Sequence, residues 1–270
     1  MPSTPTPWRR RLAAAIALIH LLQLLPAGPA MAQVSGSPQA PSGQRPLVDA
    51  AGNGVPVIHI APPNAAGVSR NGYERLNVPR EGMVLNNSPQ AIQTQLAGWI
   101  SHNLQLGRVP ARIILNEVLG PEPSQLLGMI EVAGQRADVV IANPNGITCD
   151  GCGFLNTAGR ATLLGGRTQL DAQGGLASLE ALAAVRIGPR GLDAANQQQL
   201  DLVARGLVID GEVWAQDLRA IVGANRVLYA DLRGPMQQLP AGPADGGFAV
   251  DIRGLGGMGA QQVYLVATAR

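Results

Sequence analysis

The chain has 270 residues, of which 46% are hydrophobic and only 3% aromatic. That length and apolar content can bury a sizeable core and exclude general disorder, and with so few aromatics the core must be built from Val, Ile, Leu and Ala. All 20 basic residues are Arg; three lie in the first 32 residues, leaving 17 Arg against 18 acids, a net charge of −1 that excludes a basic nucleic-acid footprint on the rest of the chain.

The N-terminus has the three-part pattern of a secretory signal peptide. Arg9, Arg10 and Arg11 are followed by an apolar run over 12–25, a break at Pro26, Gly28 and Pro29, and the small-x-small site Ala30-Met31-Ala32. The pattern predicts a signal peptide over 1–32 with cleavage after Ala32. The apolar run is short for a membrane span and no other long run follows, so the mature chain is not expected to cross a bilayer. Residues 33–46 are rich in Ser, Pro, Gly and Gln and are expected to be a flexible lead-in, with a single ordered domain over 47–270.

With 34 Gly and 21 Pro over its full length, the chain is expected to have many turns and few long helices. Val55-Pro56-Val57-Ile58-His59-Ile60 predicts a strand with an edge proline, and 72–78 another, stopped by a turn at 79–82. Residues 112–118 and 137–142 are compact β-branched strands, the second ended by the turn signal Asn143-Pro144-Asn145-Gly146. Only 89–101 and 124–127 look helical. Asn86-Asn87-Ser88 fits a glycosylation pattern and is taken as a turn.

The second half is quasi-repetitive. Leu200-Asp201-Leu202-Val203-Ala204 returns as Leu218-Arg219-Ala220-Ile221-Val222, Leu207-Val208-Ile209 as Val227-Leu228-Tyr229, and Asp138-Val139-Val140 as Ala161-Thr162-Leu163. A drifting period of about 20 residues with several short strands in each predicts a solenoid, here a parallel β-helix in preference to a β-sandwich.

Signals for chemistry are thin. Gly254-Leu255-Gly256-Gly257-Met258-Gly259 has dinucleotide spacing, but no helix or downstream acid follows, so it is taken as a turn before a final strand at 262–267. Only His59 and His102 remain beyond the leader, neither at zinc-ligand spacing, and no Gly-x-Ser-x-Gly elbow exists. No catalytic residue, metal or cofactor is assigned. Paired carboxylates stay open, as does a polysaccharide-acting β-helix enzyme, since 18 acids can converge in space. Cys149 and Cys152 are the only cysteines; behind a signal peptide a structural disulfide is preferred over an active thiol or half a zinc site.

The segment from Asn143-Pro144-Asn145-Gly146-Ile147 through Cys149-Asp150-Gly151-Cys152 to Thr157 resembles a signature of two-partner secretion domains. That family includes the filamentous haemagglutinins and the contact-dependent growth-inhibition toxins; the cysteine-containing version is similar to the toxin branch. The resemblance continues at 111–118, at 191–225 and at 255–265, and covers most of residues 47–268. It implies a right-handed parallel β-helix with extra short antiparallel strands and an N-terminal cap. It also implies an export-targeting role without catalysis. The expected partner is a cognate outer-membrane β-barrel transporter with periplasmic recognition domains, reached through the Sec machinery, with no nucleic acid or cofactor. The product would be secreted or displayed at a Gram-negative cell surface. Asn143 to Ile147 would be the main secretion motif.

The family's first motif, Asn-Pro-Asn-Leu, has its nearest match here in Asn103-Leu104-Gln105-Leu106. Proline is lost and the second asparagine is glutamine, which leaves the geometry of that turn undetermined by sequence. Adhesin and toxin lineages, a stand-alone surface adhesin, and a truncated or complete short exoprotein all remain compatible with the sequence.

Overall fold

The computed structural model describes residues 33–240, 250–252 and 257–268. The expected leader, its cleavage site after Ala32, and Gly254-Leu255-Gly256 lie outside the described residues. Those described form no α-helix; they are strands, bridges and turns.

Three parallel ladders run along the stack. The first face is built from Pro56–His59, Met83–Asn87, Met129–Gly134, Cys152–Leu155 and the first parts of Leu192–Ala204, Glu212–Val222 and Gly257–Ala267. The second uses Val68–Leu76, Ile113–Val118, Asp138–Ala142, Arg160–Leu164 and the later parts of the same three long strands. The third, narrower face stacks Ser124–Leu126, Ile147–Cys149, Val185–Ile187, Leu207–Ile209 and Val250–Ile252. Each strand pairs with the one a full circuit later, which makes the domain a parallel β-helix.

Residue alternation explains the core. In Asp138–Ala142, Val139 and Ile141 point into the helix, where they meet Ala161 and Leu163 of the next coil. Val140 and Ala142 point outward, yet are also buried, because a second sheet covers them. Strands covered on both sides read as continuous apolar runs instead of alternating ones. That outer cover is an antiparallel sheet in the order Gly166–Leu170, Leu176–Ala181, Asn225–Leu228, Gln237–Gln238. It packs Leu176, Leu179 and Val227 onto Val140, Leu164 and Val203. A smaller hairpin, Ile92–Thr94 with Gly98–Ile100, covers Val57, Val84 and Ala133 on the first face.

Several expectations change. Residues 33–46 are not a loose lead-in: Val34–Gly36 pairs antiparallel with Val68–Leu76, and Arg45 donates to the carbonyls of Ser37 and Pro38. Together with Leu47–Ala50 on Pro56–His59 it closes the exposed edges of the first coil, which an open stack would leave free to pair with other chains. The helical look of 89–101 comes from Ile92, Leu96 and Ile100 at helical spacing. Ile92 and Ile100 instead face each other across the hairpin, whose turn is held by Glu131 accepting from the Gln95 and Leu96 amides. Ser124–Leu126 is likewise a strand. Asn86 and Asn87 end a strand instead of forming a turn.

The Leu200/Leu218 repeat is a true ladder pairing. The Leu207/Val227 repeat is not: Leu207–Ile209 stacks on Val250–Ile252, and Val227 belongs to the outer sheet. The register between Asp138–Ala142 and Arg160–Leu164 pairs Val139 with Ala161, one residue away from the sequence match. The matched register would set inward side chains against outward ones.

Phe154 is fully buried in the helix interior. Phe154→Ala is expected to destabilise the domain by roughly 3–5 kcal/mol through lost burial and an unfilled cavity. In urea titration the midpoint should fall with the slope unchanged.

Candidate functional site

Asn143-Pro144-Asn145-Gly146 forms the corner between the second and third faces. Its local shape follows from its residues. Pro144 presets φ at the second turn position, the Asn143 side chain caps the turn, and Gly146 takes φ 106°, where a Cβ is strained. The Gly146 amide donates to the Asn143 carbonyl at 3.1 Å, and Asn143 Oδ1 accepts from the Asn145 amide at 2.8 Å.

The turn also clasps three coils. On the preceding coil, Asn143 Nδ2 donates to Glu122 O and Ser124 Oγ, both at 3.0 Å, and Asn145 Nδ2 donates to Gly120 O at 2.8 Å. On the following one, Asn143 N donates to Leu164 O and Ile147 N to Ala184 O. Asn143, Gly146 and Ile147 are buried and Asn145 is exposed, although its amide is held. Pro144 lines a groove with Arg70, Glu117, Leu119 and Arg167.

The altered first motif repeats this geometry at another corner, between the first and second faces. Leu106 N donates to Asn103 O at 3.3 Å, and Asn103 Oδ1 accepts from the Gln105 amide at 2.9 Å. Asn103 Nδ2 donates to Ile60 O and Asn86 O, and Gln105 Nε2 reaches His59 O at 2.7 Å. Glutamine thus does at Gln105 what asparagine does at Asn145: its longer arm carries the amide to a carbonyl of the preceding coil. Leu104, in the proline position, is 78% exposed, so the exchange disturbs no packing.

Corner amides beyond the two motifs do similar work, and the sequence reading missed them. Asn87 both donates to Ala111 O and accepts from Ala111 N, and Asn156, at φ 55°, donates to Val132 O. The signal available was asparagine directly after an apolar strand. At the corner from the third face to the first, Cys149 and Cys152 form a buried disulfide across Asp150 and Gly151. That corner is tied to the next coil by Asp150 accepting from the Arg190 amide and Nε. Among the described residues, no group of three or more His, Cys, Asp or Glu gathers into a metal-binding arrangement.

His59 backs the first motif. Its Nδ1 lies 3.3 Å from Asn86 Nδ2, which suits a neutral ring accepting from the amide. Burial holds its pKa below the ordinary 6.5, Asp49 partly offsets this, and His102 adds to it.

A family profile described as the TPS secretion domain matches residues 32–270. The chain belongs to the TPS secretion domain family. It is 42% identical over 254 residues to the tRNA nuclease CdiA of Yersinia mollaretii, covering 93% of this chain and 8% of that one. It is 42% identical over 244 residues to the toxin CdiA of Yersinia pestis (88% and 7%), and 37% over 254 residues to the tRNA nuclease CdiA-2 of Burkholderia pseudomallei (93% and 8%). The crystal structure of the filamentous hemagglutinin secretion domain matches with TM-score 0.78 and 34% identity, covering 87% of this chain and 79% of that one. The TPS domain is the export-targeting domain of CdiA- and haemagglutinin-like proteins; it is not catalytic, and its partner is an outer-membrane transporter. The family match begins at residue 32, in accord with the strand at Val34–Gly36. The chain spans only 7–8% of the length of these CdiA relatives, and the nuclease or toxin in their names is said of them.

Two outcomes follow for stability. Asn143→Ala strands the buried Ser124 hydroxyl and removes the partners of the Glu122 carbonyl and the Asn145 amide, and should cost about 2–3 kcal/mol, as should Asn103→Ala, whereas Asn145→Ala should cost about 1 kcal/mol; urea unfolding of the three variants gives the order. His59, with its folded pKa depressed, binds fewer protons folded than unfolded below its ordinary value. Stability should therefore fall as pH drops through about 6.5 and level off below the folded pKa, and His59→Gln should flatten that limb of a pH–stability curve.

Proposed function

We propose that the transporter reads this TPS domain in the periplasm as an unfolded chain, chiefly through Asn143-Pro144-Asn145-Gly146-Ile147, with Asn103-Leu104-Gln105-Leu106 as a second contact. The observation that carries this reading is the burial of the motif. Asn143, Gly146 and Ile147 are inaccessible once the coils stack, and the motif amides are bonded to neighbouring coils. A receptor needing those side chains must meet them before folding. An unfolded strand can pair with a periplasmic domain by β-augmentation, with alternate side chains giving specificity. Outside the cell each added coil buries apolar surface, which favours forward movement.

On this reading the chain enters the periplasm through the Sec machinery, loses residues 1–32 after Ala32, and ends secreted or at the surface of a Gram-negative cell. The 42% identity to CdiA proteins supports the contact-dependent inhibition lineage over an adhesin. Co-expression with and without the cognate transporter tests the proposal by comparing medium with periplasm. Wild type should reach the medium only with the transporter, and Asn145→Ala, although folded, should be released less. Equal release without a transporter overturns the export reading; full export of Asn145→Ala reduces the turn to a scaffold element.

A further inference from the structure

The Asn143–Ile147 motif, second of the two in chain order, contains an Asn–Gly peptide, one of three in the chain with Asn53-Gly54 and Asn71-Gly72. Glycine has no Cβ to hinder its amide, so in a flexible chain that amide can attack the preceding side chain. The Gly146 N–Asn145 Cγ bond forms, the Cγ–Nδ2 bond breaks, and ammonia leaves with the amide proton. Water then opens the resulting succinimide at either carbonyl, giving aspartate or isoaspartate. No oxidant or reductant is needed.

The folded turn opposes each step. The nucleophile, Gly146 N, is engaged with Asn143 O, and the leaving amide is held by Gly120 O and Asn143 Oδ1. Asn145 is exposed to water, so its side chain is protected by fixed geometry, while Gly146 is buried as well. The product would also be ill suited to the site. A carboxylate there would face two acceptors, Gly120 O and Asn143 Oδ1, in place of a donor. Isoaspartate would add a backbone carbon inside a turn closed by the 3.1 Å Gly146–Asn143 bond. By contrast Asn53 sits on an exposed turn of the N-terminal cap, and its amide donates only to Leu96 O.

We infer that Asn145–Gly146 is a deamidation site open in the unfolded chain and closed by folding, so that a chain delayed before folding loses the ability to rebuild its second-motif corner. The inference rests on the reading that the chain travels unfolded. It assigns the motif a time limit as well as a shape.

Purified protein is incubated at mildly alkaline pH, folded in buffer and unfolded in concentrated urea, and peptide mapping by mass spectrometry follows conversion at Asn145. Losing the two amide hydrogen bonds requires local opening, so folded protein should convert about tenfold more slowly or less. Urea-aged chains are then refolded, and the folded fraction should be depleted in converted Asn145. Asn145→Asp should refold with a urea midpoint lowered more than that of Asn53→Asp, which loses a single exposed donor bond, or not refold at all. Equal conversion rates in buffer and urea overturn the inference, as does refolding of Asn145→Asp with the wild-type midpoint. No transporter enters these measurements, so their failure is separate from a failure of the export reading.

Discussion

A stack of parallel coils has no hairpins to fix how one layer sits on the next. Evenly spaced backbone bonds between parallel strands tolerate a slipped register almost as well as the native one, and a slip of one residue would exchange inward-facing side chains with outward-facing ones. The corners carry the constraint instead. Asn143 and Asn145 bind carbonyls of the coil before, Asn103 and Gln105 do the same at a corner of the preceding coil, and Asn87 donates to Gln135 O of the coil after. Each bond is worth about 1 kcal/mol net, but a slipped register would leave buried amides and carbonyls unmet at about 1–3 kcal/mol each. The stack depends on those penalties more than on the strength of the bonds.

The same arrangement explains the two outer sheets. A second face whose outward residues are Leu115, Val140, Leu164 and Val203 would expose a wide apolar surface if left bare. The sheet formed by Gly166–Leu170, Leu176–Ala181 and Asn225–Leu228 covers it; Arg226 pairs with Glu180 within the sheet, and Thr168 donates to Glu117 of the second face, which also pairs with Arg70. Because the cover is inserted within coils, between their second-face and third-face strands, it interrupts the sequence period where the chain leaves the helix and returns.

On the proposed export reading, structure and export make competing demands on the same few residues. The turn chemistry that makes Asn143 to Ile147 distinctive in an unfolded chain is consumed when the coils close, since both amides then serve the neighbouring coil. Gly146 illustrates the overlap: its positive φ is needed for the corner, and its lack of a Cβ leaves the preceding peptide chemically exposed before folding. The Cys149–Cys152 bridge lies at the next corner along and closes too short a loop to constrain the unfolded chain strongly, so its main effect is to fix that corner.

Much of this was legible in sequence. Short β-branched runs ended by turn residues specified strands at 113–118 and 138–142, the 18-residue return of Leu200 at Leu218 specified a stacked coil, and the resemblance centred on Asn143 to Cys152 named the family. These are local or periodic properties, and residues near one another in the chain are enough to set them. What sequence left undecided depended on contacts between distant residues. The strand at Val34–Gly36 exists because the first coil has an edge to cover; the hairpin at Ile92–Ile100 folds as strands because Val84 and Ala133 lie beneath it; Val227 leaves the ladder because the second face needs a cover. Whether Gln105 could stand in for asparagine was likewise a question of reach, answered only by the position of His59 O on the coil before. A side chain's partners across a coil lie some 20 to 50 residues away, so only the stacked structure decides them.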